Sequence, residues 1–277
     1  MKVAQSIDFS PIQAFKFGSW PFGKPAMYVY IYFIDGLLID AGHSNMRKEI
    51  MACLRPLPIQ QIFITHHHED HSGNLKSSQQ HFNCPTYAYP LCVEIMKQPP
   101  SITFAQWLTW GATAANTNIT PISEVISTPN YSFQIIHTPG HAADMVCLYE
   151  ASQGWLFSAD LYLHDYLRFC MRSESIAQQI RSIKKVLRLD FDKLFCSHRP
   201  QMTSPKKHLN TKLQFLEDFY GKVSTLHQEG YTPKAIFNTL QLKENWQVKL
   251  LSGGKLSAMN MVRSVILDEQ AMKLVLE

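Results

Sequence analysis

A chain of 277 residues, 45% hydrophobic and 17% charged, can bury a sizeable core as one large domain or as one domain with an appendage. Its net charge of +4 is mild and its densest basic run, Lys206–Lys207–His208, is short, so composition argues against a dedicated nucleic-acid binder. No apolar run is long enough to span a membrane, residues 1–11 hold no signal-like stretch, and the six scattered cysteines form no Cys-x-x-Cys pair, which together lead us to expect a soluble, cytoplasmic protein without a cysteine zinc knuckle.

The runs 27–33 and 37–39 are rich in strand formers and flank Asp35–Gly36, a dipeptide that favours a tight hairpin. The spacing predicts a helix over 45–54 and a strand over 59–65 that ends abruptly in a histidine cluster. Residues 85–89 and 131–137 are further strand candidates. A second hairpin is expected from 145–150 and 155–158, with its turn at Ala151–Ser152–Gln153–Gly154. Between them, 99–122 reads as a helix plus loop holding Trp107 and Trp110. Ile176, Ile180, Ile183 and Leu187 recur on one helical face over 175–187, and 193–196 is a last short strand. Beyond Pro205 the pattern turns helical, with helices over 208–228, 233–240 and 256–267. The expected division is therefore 1–204 and a helical appendage, 205–277, too small to be an independent domain.

One pattern dominates: Thr65–His66–His67–His68–Glu69–Asp70–His71–Ser72–Gly73, directly after a hydrophobic strand. Zinc is held by neutral imidazole and carboxylate groups near 2 Å, and four ligand-type residues within six positions are specific for such a site. Three later strands end near His141, Asp160 and His198, so ligand-type residues leave the same kind of position four times.

These residues, His66, His68, Asp70 and His71, then His141, Asp160 and His198, in that order, resemble the metallo-β-lactamase superfamily. So does Leu38–Ile39–Asp40–Ala41–Gly42, which is similar to its early strand and Asp-x-Gly turn; the resemblance covers roughly residues 15–200. It implies an α/β protein, an αββα sandwich with the site at one edge of two sheets. It also implies that His66, His68 and His141 bind one metal, that Asp70, His71 and His198 bind a second, and that Asp160 bridges them, with Asp40 orienting a ligand histidine. Two Zn2+ are expected, with iron or manganese also suited to a donor set lacking thiolate. The implied reaction is hydrolysis by a metal-bound hydroxide, with Asp70 holding the nucleophile.

Arg199 and Pro200 follow His198 where the family has a small residue. His67 and Glu69 are expected to point away from the metals, Asp144 to cap a helix, and His43 and His81 to have no metal role. Tyr162 and His164, on the loop after Asp160, are candidate substrate-binding residues. Trp20–Pro21–Phe22–Gly23 reads as an aromatic turn near the site edge.

The fold does not fix the substrate. The leading expectation is a small thioester or ester-like molecule, as in glyoxalase II-like relatives, with the tail helping to close the pocket. The alternatives are a lactamase-like endoribonuclease or phosphodiesterase, using Arg181, Lys184, Lys185, Arg188, Lys206 and Lys207 as a basic patch, and a single-iron sulfur oxygenase. The sequence assigns no oligomeric state.

Overall fold

The computed structural model describes residues 1–21, 23–25 and 27–276. Its first part builds a seven-stranded sheet from β1 (Lys2–Phe9), β2 (Ile12–Ser19), β3 (Val29–Ile34), β4 (Leu37–Ile39), β5 (Gln61–Ile64), β6 (Thr86–Ala88) and β7 (Thr120–Pro121), in that spatial order. The strands pair antiparallel as far as β4 and parallel from there on. The helices between them are α1 (Arg47–Leu54, entered through a 3-10 turn, Ser44–Met46), α2 (Glu69–Ser72), α3 (Leu75–Phe82), α4 (Pro90–Lys97) and α5 (Phe104–Thr109). A five-stranded sheet follows from β8 (Val125–Ser127), β9 (Ser132–His137), β10 (Val146–Glu150) and β11 (Trp155–Ala159). After β12 (Cys170–Met171) and α6 (Ile176–Leu187), β13 (Lys193–Cys196) completes it, in the order β13-β11-β10-β9-β8. The chain ends with α7 (Pro205–Gln228), α8 (Pro233–Thr239), α9 (Trp246–Leu251), β14 (Leu256–Ser257) and α10 (Ala258–Leu276); β14 pairs with β12.

Side-chain alternation decides the layers, because successive residues of a strand leave opposite faces. In β3, Tyr32 and Ile34 join the cluster between the sheets, whereas Ile31 and Phe33 join one shared with Ile50, Leu54, Cys92 and Met96 of α1 and α4. In β10, Val146 and Leu148 face the first sheet, while Cys147 and Tyr149 face α6, α7 and α10. Two sheets face to face with helices outside both form an αββα sandwich. Fully buried rings such as Phe63, Phe133 and Phe157 hold its middle, each contributing roughly 1.5–3 kcal/mol by burial.

The expected hairpin at Asp35–Gly36 forms with both residues at positive φ, +48° and +85°. Helix α6 begins where Ser175 accepts a hydrogen bond from Gln178 N, and its apolar stripe packs on the core, Ile176 and Ile183 buried and Ile180 and Leu187 half-buried. The β1–β2 hairpin was not anticipated: β1 is largely exposed, and its inner side, Val3, Ile7 and Phe9, is only half-buried and is interrupted by Gln5. Helix α3 is also polar, and α4 starts on Pro90, a residue suited to a first helical turn. One apolar cluster joins β10, β11, β13 and α6 to Leu209, Leu216, Val223, Ile236 and Val262, so it runs across the expected 204/205 division. Among the described residues no helix is long and apolar enough to cross a membrane.

Candidate metal centre

Strand ends build the site. β4 leads into Asp40, β5 into the loop 65–68, β11 into Asp160 and β13 into Ser197–His198, while Thr138, Pro139 and Gly140 carry the chain from β9 to His141. In the bend after β5, His66 and His68 turn their rings towards one another. The single turn α2, closed by bonds from His71 N and Ser72 N to the His68 carbonyl, then turns Asp70 and His71 to the same point. That turn needs glycine after it: a Cβ at Gly73 would lie 2.5 Å from the Glu69 carbonyl oxygen and 2.9 Å from Ser44 N.

The structure brings all seven sequence-selected residues together, as two donor groups whose atoms lie within 4.8 Å of one another: His66, His68 and His141, and Asp70, His71, Asp160 and His198. In the first, His68 Nδ1 is 3.1 Å from His66 Nε2 and 3.0 Å from His141 Nε2. Nitrogens tetrahedrally disposed at the 2.0–2.1 Å of a zinc site would stand about 3.3 Å apart, so this convergence has the size of a metal-ligand triad. In the second, His198 Nε2 lies 3.2 Å from Asp160 Oδ2 and 3.3 Å from Asp70 Oδ2, and His71 Nε2 lies 3.4 Å from Asp160 Oδ1. Asp160 Oδ2 is also 3.3 Å from His141 Nε2, which places this carboxylate between the groups. His71 Nε2 and Asp160 Oδ1 are buried without a hydrogen-bond partner, and unpaired polar atoms at such depth call for a ligand. The donors therefore fit divalent cations.

Outer contacts fix which nitrogen faces inward. Asp40 accepts from Thr65 N at 2.9 Å, from Thr65 Oγ1 and from His71 Nδ1 at 2.8 Å, leaving His71 Nε2 for the site. His198 Nδ1 donates to the Tyr28 carbonyl at 2.6 Å despite the Arg199–Pro200 context, and His141 Nδ1 faces Glu174 Oε2 at 3.5 Å. Sequence reasoning missed Glu174, which reaches the site from the loop before α6 and carries no motif.

Electrostatics separates His66 and His68 from the other imidazoles, His141 included, which burial lowers but Glu174 and Asp160 hold above its usual value. Burial, with His141 and His67 nearby, pushes His68 down to about 3, and burial beside His71 and His68 holds His66 well below its usual value. These rings present neutral lone pairs. Burial also opposes charge on His71 and His198, yet the carboxylates of Asp70 and Asp160 outweigh it and hold both well above the usual range. Burial alone would raise Asp70, but His71 and His198 bring it down to about 2. In the second group the two carboxylates thus favour positive charge on the imidazoles between them, the charge a bound cation would supply in place of protons.

The expectations for Tyr162, His164 and Asp144 need correction. Tyr162 is fully buried, and its hydroxyl donates to Asp165 Oδ1 at 2.6 Å rather than facing a substrate. His164 is exposed next to Tyr166 and takes no part in the cleft wall. Asp144 caps no helix; it accepts from His67 N and His67 Nδ1, both at 2.8 Å, and so pins the histidine loop. Glu69 lies outside both donor groups: it is buried, accepts from Gln106 Nε2 at 2.9 Å, and burial together with Asp70 pushes its pKa up to about 7. His43 stays outside both donor groups, buried against Trp110, and burial lowers it to about 4. Of the expected turn at 20–23, Phe22 lies outside the described residues; Trp20 and Pro21 line a separate cleft of about 420 Å3 with Trp107 and Leu108.

A larger cleft of about 710 Å3 opens beside His68. Its wall combines His67, Glu69 and Gln106 with Pro99, Pro100 and Ile102, and with Met171, Arg172 and the turn Gly253–Gly254–Lys255. Lys255 Nζ donates across to the Ser101 carbonyl at 2.8 Å, so a segment from beyond residue 204 closes one side.

The model of the Metallo-beta-lactamase superfamily matches residues 25–198. A hydroxyacylglutathione hydrolase of Salmonella arizonae is 26% identical over 197 residues, covering 69% of this chain and 68% of that protein. A β-lactamase domain protein of Burkholderia ambifaria superposes with a TM-score of 0.66 at 13% identity, covering 93% of this chain and 87% of that one. A flavo di-iron protein of Thermotoga maritima has a TM-score of 0.60 at 16% identity, covering 84% and 71%.

Proposed function

Because the chain belongs to the metallo-β-lactamase superfamily, we propose that it is a hydrolase of small thioester or ester-like substrates that holds two divalent cations, zinc in the first instance. The carrying observation is Asp160, set between a three-histidine group and an Asp–His–His group, with its own Oδ1 and His71 Nε2 buried and without a hydrogen-bond partner among the described residues. In this reading His66, His68 and His141 hold one cation, Asp70, His71 and His198 the other, and Asp160 both. Five imidazoles and two carboxylates without a thiolate suit zinc, and iron or manganese as well. Bound there, the cations supply Lewis acidity and lower the pKa of water.

The chain's own residues do the rest. Asp70, held ionised far below neutral pH, offers a carboxylate oxygen to the proton of the attacking water. Asp40, Glu174 and the Tyr28 carbonyl keep His71, His141 and His198 oriented. The cleft sets apolar Pro99, Pro100, Ile102 and Met171 beside cationic Arg172 and Lys255, a wall suited to an organic substrate with an anionic end. The hydroxyacylglutathione hydrolase relative supports a thioester. The basic patch that a nuclease would use is partly neutralised, since Lys184 pairs with Glu217 at 2.6 Å and Lys206 with Asp190 at 3.5 Å.

Elemental analysis of the purified protein, joined to a panel of thioester, lactone, β-lactam and phosphodiester substrates, tests the reading. Two zinc ions per chain with thioester turnover is the expected outcome. One iron per chain without hydrolysis of any of these substrates would refute it.

A further inference from the structure

Lys212 stands out beyond the donor groups. It lies on α7 with its side chain fully buried, between the turns that pack Leu209 and Leu216 into the core. A buried ammonium ordinarily has a carboxylate partner. Among the described residues Lys212 has none within ion-pairing distance, and its Nζ donates instead to the backbone carbonyl of Leu161 at 2.7 Å. Leu161 directly follows Asp160. One turn earlier on the same helix face, His208 Nδ1 holds Asp165 Oδ1 at 3.0 Å, the oxygen that also receives the Tyr162 hydroxyl. Helix α7 therefore grips both ends of the segment 161–165.

The turn held in this way is strained. Ala159 has φ +44°, a left-handed conformation that costs a residue with a side chain, and the turn closes through Leu161 N to the Ser158 carbonyl at 3.0 Å. Strained turns persist only where their surroundings over-determine them. Two outside tethers do so here: Ser197 N on the Ala159 carbonyl at 3.1 Å, and Lys212 on Leu161.

We propose that Lys212 is a positioning residue for Asp160, its bond to the Leu161 carbonyl holding the strained turn so that the carboxylate stays between the two donor groups. This rests on the two-cation reading. The ammonium has two opposed influences on that centre. Its charge, felt by Glu174 and Asp160, works against a bound cation, whereas its hydrogen bond sets a donor in place beforehand. The hydrogen bond prevails, so removing Lys212 weakens cation binding although it removes a positive charge.

Zinc alone is the probe, titrated into metal-stripped protein against a chelating dye, with the zinc-free thermal melt recorded for each variant. The wild type binds two equivalents. Lys212→Met binds at least one of them roughly 10- to 100-fold more weakly, the range for loss of a group supporting a ligand. Lys212→Gln, an uncharged donor, recovers most of that loss. Leu216→Ala, which loosens α7 but leaves the Lys212 hydrogen bond in place, melts earlier yet keeps wild-type zinc affinity. Unchanged or tighter binding by Lys212→Met overturns the proposal, and so does equal weakening in Leu216→Ala. If Lys212→Met does not fold, Lys212→Gln decides: near-wild-type affinity supports the hydrogen bond, and tighter binding refutes it. A wild type that binds no zinc overturns the two-cation reading itself.

Discussion

Asp40→Asn changes one oxygen of a buried carboxylate into an NH2 group and leaves the shape intact. In the native site both oxygens accept: Oδ1 from Thr65 N, and Oδ2 from His71 Nδ1. Asn has one acceptor oxygen. If it keeps Thr65 N, its NH2 meets the His71 Nδ1–H donor, and the imidazole must change tautomer to accept at Nδ1. The proton then sits on Nε2, the atom that faces Asp160 at 3.4 Å and that the proposed centre uses as a ligand. Loss of a charge-assisted buried hydrogen bond costs about 1.5–3 kcal/mol of stability in the metal-free protein. Misorienting a ligand imidazole weakens its metal roughly 10- to 100-fold. Only one donor group depends on His71, so zinc titration against a chelating dye should show one weakened equivalent and one left as in the wild type. Two equivalents of wild-type affinity in Asp40→Asn would refute the argument that Asp40 sets the His71 tautomer.

The Glu69 carboxyl, pushed up to about 7 against an unfolded value near 4.3, binds its proton more tightly in the folded, metal-free protein. Stability should therefore fall as pH rises from about 4 to about 7 and then level off, and urea melts of Glu69→Gln should lack that component of the slope. Gly73→Ala forces a Cβ against the Glu69 carbonyl oxygen at 2.5 Å and should cost about 1–3 kcal/mol in thermal unfolding, with weaker zinc binding because the turn carrying Asp70 and His71 must shift. Zinc in 1,000-fold excess over its dissociation constant should stabilise the folded chain by about 4 kcal/mol for each site filled, and a chelator should reverse the rise in melting temperature.

The donor residues were legible in the sequence because each stands at a strand end, where a hydrophobic run breaks into a loop; the histidine cluster after β5 is the plainest case. The apolar stripe of α6 and the Asp35–Gly36 hairpin were equally readable, since local chemistry alone decides them. What escaped depends on distant partners. Glu174 meets His141, and Lys212 meets Leu161, only after the sheets and helices have closed. Asp144 sits three residues beyond His141, where a capping role is the local reading, but its partner is His67 in the other sheet's loop. Tyr162 looked available because loops after strand ends face clefts, whereas here the loop turns back under α7. The β1–β2 hairpin hid because its outer strand has only a partial apolar side, Val3, Ile7 and Phe9 interrupted by Gln5, to signal it.

The donors of the centre come from both sides of the sandwich: His66, His68, Asp70 and His71 follow a strand of the first sheet, and His141, Asp160 and His198 follow strands of the second. A cation gripped by both would rivet the two halves together across their seam. All six cysteines are free thiols, so no covalent staple shares that load. Metal supply would then regulate mechanical cohesion, and starvation for the ion would loosen the architecture along that seam.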